Sequence, residues 1–425
     1  MSIEIRPVGT ACNLKCKYCY ETCMRDQTPP KLDMATIARI VPKMDRPFSL
    51  FGGEAMLLPM KDLEALLKLA FDKWNHSGIQ TNGSLIRHKH IELFKKYKTC
   101  VGISVDGPDE LNDARWAGTE ESTREFTRRT HEAIRMLSEA GMPPSIIITL
   151  HAGNCSKDRF PRLIKWFHEL EALGVTHLNP HFMEMDAHAG ELFLPDNEII
   201  DRLIELWHEE FTTLKITLFD EILKLLQGDD HVVCCWKGCD PWNTTAVHGI
   251  EADGSPSHCS RTNKDNINWL PAEGSGQNSW NSKFSDFPSQ VSHERQLALY
   301  VTPQGLGGCN GCPYWLLCTG HCPGTGMDGD WRKRTTHCAF IKQLFNEGIR
   351  ILHARGVDIT FPERPDRLQI EQAMYREWVM GKSTSLTHFT KAKKDCAPNP
   401  AKPGTNDHLD NGFYTNHKDH LDYGA

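Results

Sequence analysis

The grouping of the cysteines is the feature that most restricts what this chain can be. The 425 residues include 16 cysteines, and most of them stand in tight groups. A disulfide-rich secreted protein could show such groups, but those proteins are small and carry a signal peptide. The start of this chain, Met-Ser-Ile-Glu-Ile-Arg-Pro, lacks the basic residues and long apolar run of a signal peptide. The cysteines therefore predict metal binding in a reducing compartment.

The charge and the hydropathy of the chain exclude two classes of partner. The formal net charge is −7, so no overall basic field would attract nucleic acid. No apolar run is long enough to cross a bilayer. We therefore expect a cytoplasmic protein that binds neither nucleic acid nor a membrane.

The first half of the chain alternates short β-like runs with amphipathic helices up to about residue 211. Helical spacing is clearest in residues 63–74, 160–167 and 199–207, where apolar residues recur at intervals of three and four. Six such βα units predict a parallel sheet with helices outside. Because a closed barrel needs eight strands, we predict an α/β partial (β/α)6 TIM-like barrel. The predicted strands are residues 3–5, 48–51, 78–80, 101–105, 145–150 and 175–178.

The composition changes near Gly228. Residues 231–338 are rich in Cys, Gly, Pro, Trp and Asn and poor in periodicity, which is typical of a segment organised by metal. Helical patterns return at 340–354 and 366–380, and the last forty residues are expected to be flexible. We therefore predict a barrel over 1–228, a cysteine-rich domain over 229–345, and a helical segment with a flexible tail over 346–425.

Three cysteines follow the first predicted strand. Cys12, Cys16 and Cys19 are separated by three and two residues, with Tyr18 before the last. Such a loop can surround one 4Fe–4S cluster, which normally takes four thiolates. Three thiolates leave one iron open to an external ligand. The alternative is a zinc loop that lacks one ligand.

The pattern Cys-x-x-x-Cys-x-Tyr-Cys at the end of a first strand resembles the radical S-adenosylmethionine (radical SAM) superfamily. In that family the amino and carboxylate groups of the SAM methionine chelate the open iron, and cleavage of SAM gives a 5′-deoxyadenosyl radical. The resemblance implies that Cys12, Cys16 and Cys19 hold the catalytic cluster. It also places Tyr18 near the cluster and the adenine.

A glycine pair and a glutamate follow the second predicted strand. In the family, a segment like Gly52-Gly53-Glu54 binds the SAM amino group. Glycines allow a close backbone approach, and a carboxylate suits an ammonium group. The motif alone is weak, but its place one βα unit after the cysteine loop makes it specific.

The next two strands end in residues that are similar to the family pattern. Asn82 follows the third strand, while Ser104 and Asp106 lie on one side of the fourth by strand alternation. The resemblance implies that all three line the SAM pocket. It further implies that Arg115 can bind the SAM carboxylate, with a surface salt bridge as the alternative.

The cysteines of the second half resemble the SPASM module found in many radical enzymes that modify peptides and proteins. Two zinc sites are the alternative. The resemblance implies two auxiliary 4Fe–4S clusters, each fully ligated by thiolates and suited to electron transfer, and hence three clusters in all together with SAM. The first would use Cys239, Cys259, Cys322 and either Cys234 or Cys235, and the second Cys309, Cys312, Cys318 and Cys338.

The favoured function is radical maturation of a ribosomally synthesised precursor peptide, by crosslinking, rearrangement or fragment excision. The first strand begins at Ile3, so an N-terminal leader-binding domain is expected to be absent. The peptide would then be held by a separate leader-binding protein or by the enzyme itself. The resemblance implies flavodoxin or ferredoxin as the reductant.

Two other functions are consistent with parts of the pattern. One is anaerobic sulfatase maturation, in which the proposed base is an aspartate at the position that Ser260 occupies here. A serine cannot accept a proton as a carboxylate does, although His258 could substitute for it. The other is a non-catalytic iron–sulfur electron carrier, which would not need SAM-binding residues on three successive strands. His181 and Glu184 are candidates for a proton-accepting pair or for polar groups at the rim.

Overall fold

The computed structural model describes residues 2–21, 31–183, 190–232, 239, 247–257, 259, 261, 293–382 and 384–391. The predicted sites Cys234, Cys235, Glu184, His258 and Ser260 lie outside these residues. Within the described chain, no helix combines the length and the apolar character needed to cross a lipid bilayer.

The described strands form one mixed sheet in the order β7-β6-β5-β4-β3-β2-β1-β8-β9. All neighbours are parallel except β8 and β9, which form an antiparallel pair. The six predicted strands are all present, which confirms the partial barrel. The strands are β1 Ser2–Arg6, β2 Phe48–Leu50, β3 Ser77–Thr81, β4 Thr99–Ser104, β5 Ser145–Leu150, β6 His177–Phe182, β7 Lys215–Ile216, β8 Val247–Glu251 and β9 Pro256–Ser257.

The sheet is larger than the sequence predicts. The short strand β7 extends it beyond β6, and β8 adds to the other edge by pairing with β1 from Ser2 to Arg6. The β8–β9 hairpin lies in the segment whose sequence suggested only metal-organised loops. Its strands are short and lack a long apolar alternation, so they form by pairing, β8 with β1 and β9 with β8, rather than from a local pattern.

The helices cover the sheet and continue beyond it. The patterns at 63–74, 160–167 and 199–207 fall within α2, α6 and α7, and those at 340–354 and 366–380 correspond to α11 and α12. The helices are α1 Met34–Ile40, α2 Met60–Trp74, α3 His88–Lys96, α4 Glu120–Glu139, α5 Ala152–Cys155, α6 Phe160–Ala172, α7 Asp196–His208, α8 Thr217–Leu226, α9 Glu294–Val301, α10 Trp315–Cys318, α11 Cys338–Ala354, α12 Arg367–Val379 and α13 Leu386–Lys391. Short 3-10 turns occur at Val41–Lys43, Ala55–Leu57, Asp109–Asn112, Gly190–Leu192, Gln304–Leu306, Pro323–Thr325, Met327–Gly329 and Phe361–Glu363.

The cysteine-rich half packs directly on the barrel. Gly348 of α11 lies so close to α8 that a Cβ there would stand 2.6 Å from a Leu226 methyl carbon. Near the start of the same helix, the ring of Phe340 lies edge-on to Phe182 of β6, with centroids 4.6 Å apart. The end of β6 therefore meets the helix that begins at Cys338.

The start of the predicted flexible tail is a helix anchored to the body. The carboxylate of Asp230, in the loop after α8, accepts hydrogen bonds from the backbone N–H groups of Leu386 and Thr387 at 2.7 and 3.0 Å. A carboxylate at this position satisfies N–H groups that have no partner within the helix. The expectation of flexibility is therefore wrong for Leu386–Lys391, and residues 392–425 lie outside the described chain.

Candidate active site

The cysteine loop lies at the carboxyl end of β1 and is fixed by main-chain hydrogen bonds. The N–H groups of Lys15 and Lys17 donate to the carbonyls of Trp116 and Ala114 at 2.7 and 2.8 Å. Candidate residues also follow β2, β3, β4 and β5, whose carboxyl ends lie at the same edge of a parallel sheet. In α/β folds this edge is where ligands bind.

The backbone before the cysteine loop explains the glycine pair. Gly53 N–H donates to Gly9 and Glu54 N–H donates to Ala11, both at 2.8 Å. A Cβ on Gly53 would stand 2.1 Å from the Ala11 carbonyl oxygen, and one on Gly52 would stand 2.5 Å from the Gly9 oxygen. Both glycines are therefore required for the close approach of two backbone segments, independently of any ligand.

The carboxylate of Glu54 joins the ends of β2 and β3. It accepts hydrogen bonds from the Thr81 hydroxyl at 2.6 Å and from the N–H groups of Asn82 and Met56 at 2.8 and 3.0 Å. Burial raises the pKa of Glu54, and these hydrogen bonds oppose that shift. Glu54 thus holds the ends of β2 and β3 together when no ligand is bound. Its carboxylate oxygens keep further lone pairs that can accept hydrogen bonds from an ammonium group.

Asn82 and Ser104 are engaged by neighbouring side chains. Asn82 donates from its amide to Asn13 of the cysteine loop at 2.8 Å. Ser104 accepts a hydrogen bond from Gln80 at 2.8 Å. Asn82 therefore helps to position the cysteine loop. Ser104 lies on β4, the strand next to β3, which Asn82 follows.

Asp106 is the centre of a buried polar network beside the cysteine loop. Its side chain, 0 % exposed, accepts from the Tyr18 hydroxyl at 2.5 Å and forms a 3.2 Å ion pair with Arg115. Burial alone would raise the pKa of Asp106, but its polar neighbours, with the charge of Arg115 foremost, lower it to about 2. The carboxylate is ionised, and Arg115 is a buried partner rather than a surface ion pair.

His151 is a member of this network that the sequence analysis missed. It comes directly after β5, its ring centroid lies 5.5 Å from that of Tyr18, and its Nε2 lies 3.6 Å from Asp106. The sequence signal that identifies His151 is its position, because polar residues at the carboxyl end of a barrel strand face the site. Tyr18, Asp106, Arg115 and His151 are therefore brought together from four separate segments.

The structure describes all three thiols of the cysteine loop. Burial raises the pKa of Cys16 to about 12, Arg115 opposes that shift, and the nearby Cys19 and Cys12 add to it. In the described part of the chain, no three His, Cys, Asp or Glu side chains converge as the ligands of one metal ion do. A 4Fe–4S cube does not require such convergence, because each thiolate binds a different corner.

Four cysteines of the second half line one cavity. They are Cys309, Cys312, Cys318 and Cys338, the set predicted for one auxiliary cluster. Arg334 and Lys342 also line the cavity, and Cys338 is the first residue of the 17-residue helix α11. Burial raises the pKa of Cys309 to about 12 and also raises that of Cys312, and the charges of Arg334 and Lys342 respectively oppose these shifts. Four thiols around one cavity are therefore a donor set of the kind that a 4Fe–4S cluster takes.

The second auxiliary set is described only in part. Cys239, Cys259 and Cys322 are described, whereas Cys234 and Cys235 are not. Arg295, 1 % exposed, donates to the carbonyl oxygens of Cys239 at 3.3 Å and Lys333 at 3.0 Å. It also contacts the carbonyls of Thr319 and Gly320 at 3.5 Å. This buried side chain connects the segments that carry the two predicted sets.

His181 lies where the two halves of the protein meet. Its Nδ1 accepts from the Arg261 guanidinium at 3.2 Å, and that guanidinium also lies 5.9 Å from the ring of Tyr20. Burial and the charges of Arg261 and Arg115 lower the pKa of His181 to about 3. A neutral imidazole that resists protonation is a poor proton acceptor. The contact between His181 and Arg261 instead suits His181 to orient that guanidinium.

Comparison with known proteins supports the assignment of the site to one family. The model of the radical SAM superfamily matches residues 7–167. A cysteine-type anaerobic sulfatase-maturating enzyme of Clostridium novyi is 24% identical over 282 residues, which cover 61% of this chain and 73% of that enzyme. A cysteine-type enzyme of Clostridium perfringens is 22% identical over 353 residues, covering 76% and 88%.

Two solved structures show the same fold. Native anSMEcpe with bound AdoMet aligns with a TM-score of 0.63 and 19% identity, covering 84% of this chain and 100% of that chain. Native anSMEcpe with bound AdoMet and Cp18Cys peptide aligns with a TM-score of 0.60 and 18% identity, covering 83% and 98%. The matched domain, the relatives and the partial barrel agree, and we conclude that this chain contains a radical SAM domain over residues 7–167 and is homologous to the anaerobic sulfatase-maturating enzymes.

Proposed function

We propose that this protein is a radical SAM peptide maturase with three 4Fe–4S clusters. The observation that carries the proposal is the convergence of the three-cysteine loop with Glu54, Asp106 and Arg115 at one end of the barrel. A protein that only carried electrons would not need this buried polar network beside its cysteines. The cavity lined by four further cysteines supports the assignment of an auxiliary cluster.

The chain's own residues would hold the cofactors as follows. Cys12, Cys16 and Cys19 would ligate the first cluster, and Glu54 and Arg115 would pair with the ammonium and carboxylate groups of SAM. Asp106 and Tyr18 keep the Arg115 side chain in place through the ion pair and the short hydrogen bond. The cluster and SAM, when bound, supply a 5′-deoxyadenosyl radical that removes hydrogen from a substrate C–H. The barrel's task is to position that C–H and to exclude water.

The cysteine-rich half would hold the auxiliary clusters. One set of ligands would be Cys309, Cys312, Cys318 and Cys338, and the other Cys239, Cys259, Cys322 and either Cys234 or Cys235. Full thiolate ligation leaves no open iron, so both clusters would transfer electrons. A flavodoxin or a ferredoxin would supply the electron for SAM cleavage.

A peptide is the proposed substrate. The solved anSMEcpe structure with a bound Cp18Cys peptide shows that this fold accommodates one. The proposal assigns to Arg261, which contacts His181 at the end of β6, the binding of a backbone carbonyl or an acidic side chain of the peptide. A leader segment would be recognised by the enzyme directly or through a separate leader-binding protein.

The test is anaerobic reconstitution followed by mass spectrometry. The protein is incubated with SAM, dithionite and the short peptides encoded beside its gene. We expect 5′-deoxyadenosine and a change of mass in one peptide, with loss of two hydrogens for a crosslink and a larger loss for excision. The Cys16→Ala variant should form no 5′-deoxyadenosine while retaining most of its auxiliary iron. Cleavage of SAM by that variant would contradict the assignment of the loop.

Sulfatase maturation is the second candidate, because sulfatase-maturating enzymes match most of the chain. It requires a base near the substrate, and Ser260 stands at the position of the proposed aspartate. Incubation with synthetic peptides that carry a sulfatase cysteine or serine motif distinguishes the two functions. Conversion to formylglycine would establish this second function in place of the first.

A further inference from the structure

The hydrogen bonds of His151 determine which of its nitrogens carries the proton. Its Nδ1 lies 3.0 Å from the backbone N–H of Gly153, at the start of α5. A backbone N–H can only donate, so Nδ1 must be an acceptor. The proton of the neutral ring is therefore on Nε2, on the side of the ring that faces Asp106.

This Nε2–H is a buried donor that finds no acceptor among the residues that the structure describes. His151 is 1 % exposed, and Nε2 has no hydrogen-bond partner among the described residues. The Asp106 carboxylate is 3.6 Å away, which is too long for a hydrogen bond. Its Oδ1 pairs with the Thr149 N–H at 3.0 Å and with Arg115, and its Oδ2, the oxygen nearest to His151, accepts from Tyr18. Because buried polar groups are almost always satisfied, this donor indicates a missing acceptor.

A second buried donor lies in the same network. The Nε atom of Arg115, a residue 9 % exposed, also has no hydrogen-bond partner within the described chain. Arginine does not lose its proton, so this atom is a permanent donor. Both Arg115 and His151 adjoin Asp106, and both lie beside Tyr18, with the Arg115 guanidinium 5.8 Å from the Tyr18 ring. Two unsatisfied donors thus lie in the buried network that Asp106 and Tyr18 form beside the other residues of the cysteine loop.

We propose that His151 is a ligand-binding residue whose Nε2–H, together with Arg115, donates to a carboxylate of the molecule bound beside the cysteine loop. The inference rests on the proposed function and adds a residue that the family resemblance did not supply. A carboxylate is the acceptor that best matches one cationic and one neutral donor. Its source is either the methionine carboxylate of SAM or an acidic group of the peptide substrate.

A glycine after His151 makes this ring orientation possible. A Cβ on Gly153 would stand 2.8 Å from both Cε1 and Nδ1 of the His151 ring. An alanine there would push the imidazole away from its present place. Gly153→Ala therefore gives an independent way to displace Nε2–H without changing His151 itself.

Two substitutions at His151 separate its two nitrogens. In His151→Asn the side-chain oxygen can take the place of Nδ1 and keep the hydrogen bond to Gly153, but the distal donor is lost. In His151→Gln the amide nitrogen can reach the position of Nε2 and keep that donor. If His151 had only a structural role, His151→Asn would retain more of the wild-type ligand affinity than His151→Gln. If its Nε2–H binds the ligand, His151→Gln would retain more.

The measurement is the dissociation constant of SAM for anaerobically reconstituted, unreduced holoenzyme, by equilibrium dialysis, with iron content as the control for folding. We expect His151→Asn and Gly153→Ala to weaken binding by about 10- to 100-fold, as loss of a hydrogen bond to a charged group does. His151→Gln should stay within about threefold of wild type. Weaker peptide binding by His151→Asn with unchanged SAM affinity would also support the inference. It would identify the peptide as the molecule that supplies the carboxylate.

Equal loss in the Asn and Gln variants, or no loss in either for SAM and peptide, would overturn the inference. Because no reduction is involved, a wild-type enzyme that binds SAM yet modifies no peptide leaves this test intact. Failure of the wild-type holoenzyme to bind SAM at all would instead refute the proposed function.

Discussion

Gly53→Ala tests whether the glycine of the Gly-Gly-Glu segment is required by the backbone rather than by the cosubstrate. The added Cβ would stand 2.1 Å from the Ala11 oxygen, 2.5 Å from the Ala11 carbonyl carbon and 2.6 Å from that of Thr10. All three are main-chain atoms, so no side-chain rotation can relieve the contact. The backbone of Gly53 is not left-handed, so alanine itself is tolerated and only the contact is new.

The loss of stability in Gly53→Ala can be estimated from the two backbone segments that must separate. Separating the two segments weakens the hydrogen bonds from Gly53 to Gly9 and from Glu54 to Ala11, each 2.8 Å long. Each contributes about 1 kcal/mol. Overpacking of a close contact costs about 1–3 kcal/mol in addition. The free energy of unfolding should therefore fall by roughly 3–5 kcal/mol, and Cys12, the next residue after Ala11, should move with the displaced segment.

The assay combines denaturant unfolding with iron content and SAM cleavage. We expect loss of 5′-deoxyadenosine formation and of roughly a third of the iron, because one of three clusters depends on this loop. Gly305→Ala is the matched control, since its backbone is not left-handed and a Cβ there meets nothing within 4 Å. Loss of SAM cleavage with unchanged stability and iron would show that Gly53 serves the cosubstrate directly. Full activity and stability would refute the steric reasoning.

Two further predictions concern buried charges. Arg295→Met leaves the carbonyls of Cys239 and Lys333 without their donor, so we expect auxiliary iron to be lost while the cluster of the cysteine loop remains, as measured by iron content and SAM cleavage. Retention of all iron would contradict this role. For Asp106, the folded pKa of about 2 lies below the unfolded value, so its ionised form stabilises the fold above about pH 4. That contribution, roughly 2 kcal/mol, is lost as the pH falls from about 4 to about 2. The difference in stability between wild type and Asp106→Asn should therefore shrink across that range, and a constant difference would contradict the ion-pair account.

The barrel was readable from the sequence because its signals are local. Each predicted strand is a short apolar run between amphipathic helices, and parallel strands buried on both faces keep that pattern. The cysteine spacing also specified one loop, since three thiols within eight residues can reach the same group wherever the loop lies. The strands β7, β8 and β9 could not be predicted, because two or five residues without alternation form a strand only when a neighbouring edge is available.

The function of the glycines was likewise beyond the sequence. Gly52 and Gly53 read as a ligand-binding motif, yet the Gly9–Ala11 backbone already requires the absence of side chains there. Only the packing of β1 against β2 brings these segments into contact. The same holds for Leu386–Lys391, whose helix depends on the distant carboxylate of Asp230.

The sequence by itself determined the fold class and the residue types that can hold iron, because periodicity and cysteine spacing depend on neighbours along the chain. Only the tertiary structure decided that Tyr18, Asp106, Arg115 and His151 form one network, and that four cysteines between 309 and 338 line one cavity. These groups come from separate segments, and their burial, hydrogen bonds and shifted pKa values arise from proximity that no local pattern encodes.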